Sequence, residues 1–167
     1  MMFLIALLGI KAVNASDNND SIKVYDSKGT EHLISREFYR TNVLPERFKK
    51  TWNDKDALYS AIITSLHEKF YLDALEPAKH YQTISKDPES ASNLLGIIYT
   101  KLGHLKEAKD TLQAYLDVHG DSGVVITNLA KVIAAEGNPE ESIRTLWRAL
   151  KVDPNQDNAL IWWSAIH

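Results

Sequence analysis

The stretch Leu94–Ala108, with the sequence LLGIIYTKLGHLKEA, contains the end of one amphipathic helix, a turn and the start of another. On both sides of Gly103 the apolar residues recur every three or four positions, which is the spacing of a helix face that is buried. Glycine at the turn readily adopts the left-handed conformation that ends a helix. The stretch therefore predicts a helix-turn-helix unit.

The same pattern returns 34 residues later, since Leu95 corresponds to Leu129 and Gly103 to Gly137. A period of this length around a central glycine is typical of stacked helical pairs, each of which needs neighbours to cover its apolar face. The sequence therefore predicts two successive repeats, residues 89–122 and 123–156, and with them a binding scaffold.

These two units resemble tetratricopeptide repeats. The first carries these elements of the family pattern: Leu95-Gly96, Tyr99, Gly103, Ala108 and Leu112. The second carries Leu129-Ala130, Gly137, Leu146, Ala149 and Pro154. The departures from the pattern are Tyr115, Gly120, Ile133 and Ser142. The resemblance implies an all-α fold, a right-handed α-solenoid of tetratricopeptide helix-turn-helix repeats.

Weaker units flank the two strong repeats. Residues 55–88 are predicted to form a divergent, capping-type repeat, with Lys69 in the place of the turn glycine. Residues 157–167 are predicted to form the first helix of a truncated repeat, with Trp163-Ser164 in the Leu-Gly place. This last helix has two interpretations: the chain is a fragment of a longer array, or the helix is a natural terminus whose indoles cover the core.

A small N-terminal cap is predicted at residues 16–54. Residues 22–26 and 31–34 flank the turn-rich tetrad Ser27–Thr30, which indicates a β-hairpin. Ser35 is predicted to cap a helix over residues 36–41 that Leu44-Pro45 breaks before residues 46–52. The cap is expected to pack on the first array helix through Val24, Leu33, Phe38, Tyr39 and Trp52.

Residues 1–15 resemble a signal peptide. Residues 3–10 form an apolar run too short to span a bilayer, and Val13 and Ala15 satisfy the small-residue rule for cleavage after Ala15. No Lys or Arg precedes the run, which favours the alternative of a misassigned start. The first interpretation predicts an exported protein, periplasmic or secreted, and the second a cytoplasmic one.

Composition narrows the function classes. With 44% hydrophobic and 25% charged residues the chain has the make-up of a soluble domain, and its net charge of −3 argues against nucleic acid as a partner. The absence of cysteine excludes disulfides, thiolate metal sites and a cysteine nucleophile. The six histidines lack metal-ligand spacing, and no phosphate-binding or nucleophile motif is present. We therefore expect no catalysis, no cofactor, no metal and no membrane span.

The resemblance further implies a concave groove lined by the first helix of each repeat. The groove residues that it assigns are Asn93, Ile97, Lys101, Thr127, Asn128, Lys131 and Ile161, and in the divergent repeat Asp56, Tyr59, Ile63, Leu66 and His67. Asparagine can bind the backbone of an extended peptide, and lysine can bind a carboxylate. We therefore expect the polar anchors to be Asn93, Lys101, Asn128 and Lys131.

Tryptophans mark a second candidate surface. Trp147 is predicted either to pack against Trp162 or Trp163 or to form a protein contact on the convex face.

The expected function is a noncatalytic protein-protein interaction scaffold that binds a peptide or partner protein. Two alternatives stay open: the recruiting module of an enzyme whose catalytic part is missing from this chain, and a structural array that self-associates through its C-terminal end.

Overall fold

The computed structural model describes residues 21–166, with side chains up to residue 164. Two strands, β1 (Ser21–Tyr25) and β2 (Glu31–Ser35), precede the helices. The helices are α1 (Arg36–Phe38), α2 (Leu44–Thr51), α3 (Lys55–His67), α4 (Tyr71–Ile84), α5 (Pro88–Leu102), α6 (Leu105–His119), α7 (Gly123–Ala135), α8 (Pro139–Val152) and α9 (Asp157–Ile166). The predicted signal peptide, residues 1–15, lies outside the described residues.

The chain divides into two units at Asp73, inside α4. The first unit contains the hairpin and α1 to α3, and the second contains α5 to α9. Helices with one antiparallel hairpin confirm the predicted fold class.

Asp26 organises the turn of the hairpin. Its carboxylate accepts hydrogen bonds from the backbone N–H groups of Lys28 and Thr30, both at 2.9 Å, and lies 3.2 Å from the ring of His32. These donors, with Thr30 contributing most, lower the pKa of Asp26 to about 2. Asp26 therefore belongs to the turn and not, as predicted, to the first strand.

The buried face of the hairpin differs from the predicted one. Ile22 and Val24 are buried, and their cross-strand partners are Ile34 and His32. Leu33 pairs with Lys23 and so points to the opposite face, where it is 63% exposed. Val24 is therefore buried as a packing residue should be, whereas the packing expected of Leu33 is wrong.

The predicted break at Leu44-Pro45 is also wrong, because a π-helical turn, Tyr39–Val43, joins α1 directly to α2. In this wider turn the N–H of Leu44 bonds to the carbonyl of Tyr39, five residues back. Proline lacks an N–H and crowds the preceding turn of a regular helix, so the wider turn accommodates Pro45.

Tyr39, the first residue of the π-helical turn, is fully buried in the core of the first unit and stacks on Phe70 at 5.5 Å. Phe38, its neighbour, is 45% exposed, so the packing expected of Phe38 is wrong as well. Trp52 is only partly buried.

The turn between α3 and α4 has the geometry of a glycine turn although it contains Lys69. Lys69 has a φ of 62°, and the following residue, Phe70, donates its N–H to Ser65 O at 2.8 Å. The turn at Gly103 has the same bond, from His104 N–H to Tyr99 O at 2.9 Å, with a φ of 79°. Lys69 thus has a left-handed backbone conformation, which is unfavourable in free energy for any residue that has a Cβ.

Replacing Lys69 with glycine should therefore stabilise the protein. Relief of the left-handed strain is worth about 1–2 kcal/mol, and the greater freedom of glycine in the unfolded chain offsets about 0.5–1 kcal/mol of it. We expect a net gain of about 0.5–1 kcal/mol in the free energy of unfolding, measured by urea denaturation. Lys69→Ala is the matched control, because alanine keeps the Cβ and should not produce this gain.

The second unit contains two helical pairs, α5 with α6 and α7 with α8. Gly103 ends α5 with a φ of 79°, and Gly137 lies in the turn after α7 with a φ of 84°. Asn138 then caps α8, because its side-chain oxygen accepts the N–H of Glu141 at 3.3 Å. At Ser142, a departure from the family pattern, the buried hydroxyl donates to Ala130 O at 2.7 Å. The departure therefore leaves no hydroxyl unpaired in the core.

Small residues in the Leu-Gly place of the two strong repeats allow the helices of the second unit to approach closely. A Cβ added at Gly96 would lie 2.8 Å from Leu112 Cδ2, and Ala130 is fully buried. Ser164, in the corresponding place of α9, is exposed instead. The Gly96 contact brings α5 against the fully buried side chain of Leu112 on α6.

Candidate functional site

Two helices of the second unit present polar side chains from corresponding faces. The start of α5 is fixed by the carboxylate of Asp87, which accepts the N–H of Ser90 at 3.0 Å, and the start of α7 by the hydroxyl of Ser122, which accepts the N–H of Val125 at 3.3 Å. Residues three or four apart on a helix share a face. Two rows of side chains therefore form, one on each helix face. The first contains Ile97, Thr100 and Lys101 of α5, and the second contains Asn128 and Lys131 of α7.

These two rows line a cavity of about 430 Å³, which we call the two-lysine pocket. The complete lining consists of Gly96, Ile97, Thr100, Lys101, Asn128, Lys131 and Trp162. None of these residues carries a carboxylate, whereas two carry an ammonium group. The structure thus brings four of the predicted groove residues together, namely Ile97, Lys101, Asn128 and Lys131.

Lys131 is partly buried in this pocket. Burial lowers the pKa of its ammonium group, and the positive charge of Lys101 lowers it further. Neither lysine forms an ion pair or a hydrogen bond with any residue that the structure describes. An anion that entered the pocket would therefore contact two ammonium groups that have no counterion among the described residues.

Asn128, in the lining of the pocket, pairs with Asn93, which lies outside the lining. The side-chain amide of Asn128 donates to the Oδ1 of Asn93 at 2.9 Å, across the gap between α5 and α7. This bond leaves the amide group of Asn93 as a donor and the Oδ1 of Asn128 as an acceptor. The pair therefore offers one donor and one acceptor, which is what a peptide backbone needs.

Thr127 does not belong to this surface. It is fully buried, and its hydroxyl donates to Gly123 O at 2.7 Å on the same helix. The repeat pattern places Thr127 where the first repeat has Asn93, but Asn93 is only partly buried. Thr127 therefore does not line the groove to which the repeat pattern assigned it.

Ile161 also lies apart from the pocket. It is 66% exposed on α9 and is not among the residues of the lining. The positions assigned in the divergent repeat, Asp56, Tyr59, Ile63, Leu66 and His67, lie on α3 of the first unit.

Trp162 is the pocket residue that the sequence missed. Its indole forms part of the lining, and its Nε1 is buried without a hydrogen-bond partner in the described part of the chain. The sequence predicted Trp162 only as a packing partner of Trp147 or as a cover for the core at the C-terminal helix. A signal was present in the repeat period, because α9 occupies the place of a first helix and so lies beside α7.

Trp147 packs against Trp163 with ring centroids 4.8 Å apart and the rings at 62°. This edge-to-face contact agrees with one of the two predicted interpretations. Trp147 nevertheless remains 50% exposed on α8, so the pair also presents apolar surface to solvent.

The described residues show neither a metal site nor a membrane-spanning helix. Residues 21–166 contain no group of three or more His, Asp or Glu side chains placed to hold a metal ion. Within the same range, no helix has both the length and the apolar character that crossing a bilayer requires. We take the two-lysine pocket as the candidate site because it brings together four of the residues predicted to line the groove.

No protein-family model and no curated protein sequence matches the chain. Solved structures do: a crystal structure of MamA superposes with a TM-score of 0.56 at 18% identity, covering 70% of this chain and 68% of MamA. A MamA RS-1 ArsTM double mutant gives a TM-score of 0.52 at 18% identity, covering 78% of this chain and 87% of the mutant.

YrrB is also similar in structure and is described as a TPR protein with an unusual peptide-binding site. Its TM-score is 0.52 at 18% identity, and the match covers 71% of this chain and 61% of YrrB. At this level of identity the likeness establishes the fold alone. The chain thus has the fold of tetratricopeptide-repeat proteins, which confirms the resemblance found in the sequence.

Proposed function

We propose that this chain is a noncatalytic protein-interaction module that binds an extended acidic segment of a partner protein in the two-lysine pocket. The observation that carries the proposal is the lining itself, which holds the ammonium groups of Lys101 and Lys131 and no carboxylate. Other lysines of the second unit, such as Lys106 and Lys109, are already neutralised by Asp110 and Glu136.

The groups around the pocket fit an extended peptide in three ways. The two ammonium groups suit an acidic side chain or a terminal carboxylate. The side chains of the Asn93–Asn128 pair supply a hydrogen-bond donor and an acceptor for the backbone of the peptide. Ile97 and Trp162 supply apolar wall against which a side chain of the peptide can pack. A peptide site on YrrB, a protein of the same fold, supports the class of ligand.

A second candidate function is self-association through the end of the second unit. It is favoured by Trp147, which is 50% exposed and packs against the partly buried Trp163, and by Leu160 and Ile161, two exposed apolar residues of α9. Burial of such a patch between two copies would be driven by removal of apolar surface from water. Sedimentation velocity of the parent and of Trp147→Ser tests it, since a dimer should dissociate in the variant.

Binding through the two-lysine pocket is tested by removing both charges. The parent first selects binders from a random peptide library displayed on phage, and we expect Asp and Glu to be enriched. The double variant Lys101→Gln/Lys131→Gln should then weaken binding of the selected peptides. Each charge pair contributes about 0.2–1 kcal/mol, so the dissociation constant should rise about 2- to 30-fold, measured by fluorescence anisotropy.

The matched control is Lys86→Gln/Lys151→Gln, which changes the net charge equally at two exposed lysines outside the lining. It should leave the affinity within error of the parent. Added salt should weaken the parent more than the pocket variant, because the variant has lost the screened contacts. Equal affinities for the parent and the pocket variant would place peptide binding elsewhere on the chain.

A further inference from the structure

Four lysines of the second unit differ in their electrostatic surroundings. Lys79, Lys106 and Lys109 each bind a carboxylate, from Glu76, Asp110 and Glu136 respectively, and their pKa values are raised chiefly by these hydrogen bonds. Lys131 has no carboxylate partner among the described residues. It lies partly buried against a second lysine instead, and both effects lower its pKa.

The surroundings of Lys131 explain this difference. From α5 the charge of Lys101 acts on it, and α9 contributes the uncharged indole of Trp162. No charged group of α6, α8 or the described part of α9 contributes to its shift. The carboxylate that follows α7, Glu136, is held 2.9 Å from Lys109 and is therefore already neutralised.

A lysine that is partly desolvated next to another cation is an activated nucleophile, because the neutral amine reacts and the ammonium does not. The cavity in front of Lys131 holds about 430 Å³, which is room for a small acyl group against the apolar surfaces of Ile97 and Trp162. We propose that Lys131 is the preferred Nε-acylation site among the lysines of residues 21–164, taking acyl groups from small activated donors such as thioesters and acyl phosphates.

The reaction is an ordinary acyl transfer. The lone pair of the neutral Nζ attacks the carbonyl carbon of the donor, so that an N–C bond forms. The C–S bond of a thioester, or the C–O bond of an acyl phosphate, then breaks, and the thiolate or phosphate leaves with the electron pair. The nitrogen loses one proton to solvent, and the product is an uncharged amide.

Acylation would also act on the binding described above. The amide removes one of the two positive charges and places an apolar group in the cavity, so an acidic segment should bind less well. This consequence rests on the proposed function, whereas the selectivity of the reaction does not. The two ideas can therefore fail separately.

Selectivity is measured on the full chain without any peptide. The protein is treated with limiting acetyl phosphate, and in parallel with the N-hydroxysuccinimide ester of acetic acid, between about pH 7 and 10, and acetylation of each lysine is quantified by peptide mass mapping. When the pH is below the pKa values of the two lysines that are compared, each unit by which these pKa values differ changes the ratio of their neutral fractions about tenfold. Part of that gain is offset, because a less basic amine is also a weaker nucleophile. We expect Lys131 to be acetylated faster than Lys106 and Lys109 at pH 7.5, because its pKa is lowered while theirs are raised.

The variant Lys101→Gln tests the cause. Without the neighbouring cation the pH-rate profile of Lys131 should move to higher pH, while Lys151→Gln, a change outside the lining, should leave it in place. The proposal is overturned if any other lysine of residues 21–164 reacts as fast as Lys131, or if the profile of Lys131 does not respond to Lys101→Gln. Peptide binding by the unmodified protein would stand in either case.

Discussion

Replacing Leu112 with alanine should lower the free energy of unfolding of the second unit by about 2–5 kcal/mol, the largest effect that we expect from a single substitution. Leu112 is fully buried and belongs to the core that α6 shares with α7. Its side chain also fills the space above Gly96. The loss should appear as a lower urea midpoint with an unchanged slope, provided that unfolding stays two-state.

A double-mutant cycle makes this prediction specific to the contact. Gly96→Ala alone should cost about 1–3 kcal/mol, because its new methyl group would lie 2.8 Å from Leu112 Cδ2. Combined with Leu112→Ala, the added methyl enters vacated space and the two losses should not add. The control is Val118→Ala, an exposed position on the same helix that should change stability little. Strictly additive losses at Gly96 and Leu112 would contradict the contact.

The sequence predicts the second unit well because its repeat combines several independent signals. Apolar periodicity marks the faces of α5 to α8, and Gly103, Gly137 and Asn138 mark their ends. These signals are local and agree with one another, so tertiary packing has little to override. Lys69 shows the limit, because the turn at this position keeps the left-handed geometry without the residue type that would announce it.

The hairpin and the residues after it were harder to predict, since their outcome depends on tertiary contacts. Leu33 is apolar but lies on the exposed face, because the cross-strand pairing that buries Ile22 and Val24 fixes the other face. Pro45 normally indicates a break, yet a wider turn carries the helix past it. Neither choice can be read from composition or spacing.

The pocket could be predicted only in part. Ile97, Lys101, Asn128 and Lys131 follow from their places on the first helices of the repeats, which stack in register. Trp162 was not assigned to the pocket, although the repeat period makes α9 a first helix and so places it beside α7. Thr127 shows the opposite error, because the pattern fixes a place on the helix and not the depth of burial of the side chain.

Valine at both turn glycines should destabilise the second unit by about 2–4 kcal/mol, the sum of about 1–2 kcal/mol at each turn. Gly103 and Gly137 have φ of 79° and 84°, a region that a β-branched residue rarely adopts. No atom lies within 4 Å of a Cβ built on either glycine, so the loss would come from backbone strain and not from a clash. Thermal melts followed by circular dichroism should show a lower midpoint for each single variant and the lowest for Gly103→Val/Gly137→Val.

Asparagine at the same two positions separates strain from side-chain bulk. Asparagine tolerates the left-handed region better than valine, so Gly103→Asn and Gly137→Asn should lose clearly less stability than the valine variants. The same reasoning predicts the opposite sign at Lys69, where glycine removes strain that the natural residue carries. If valine and asparagine cost the same at Gly103, or if neither has an effect, the left-handed turn cannot be what ends α5. The helix would then end through the bonds that Gly103 and His104 donate to Thr100 and Tyr99, whatever residue occupies the turn.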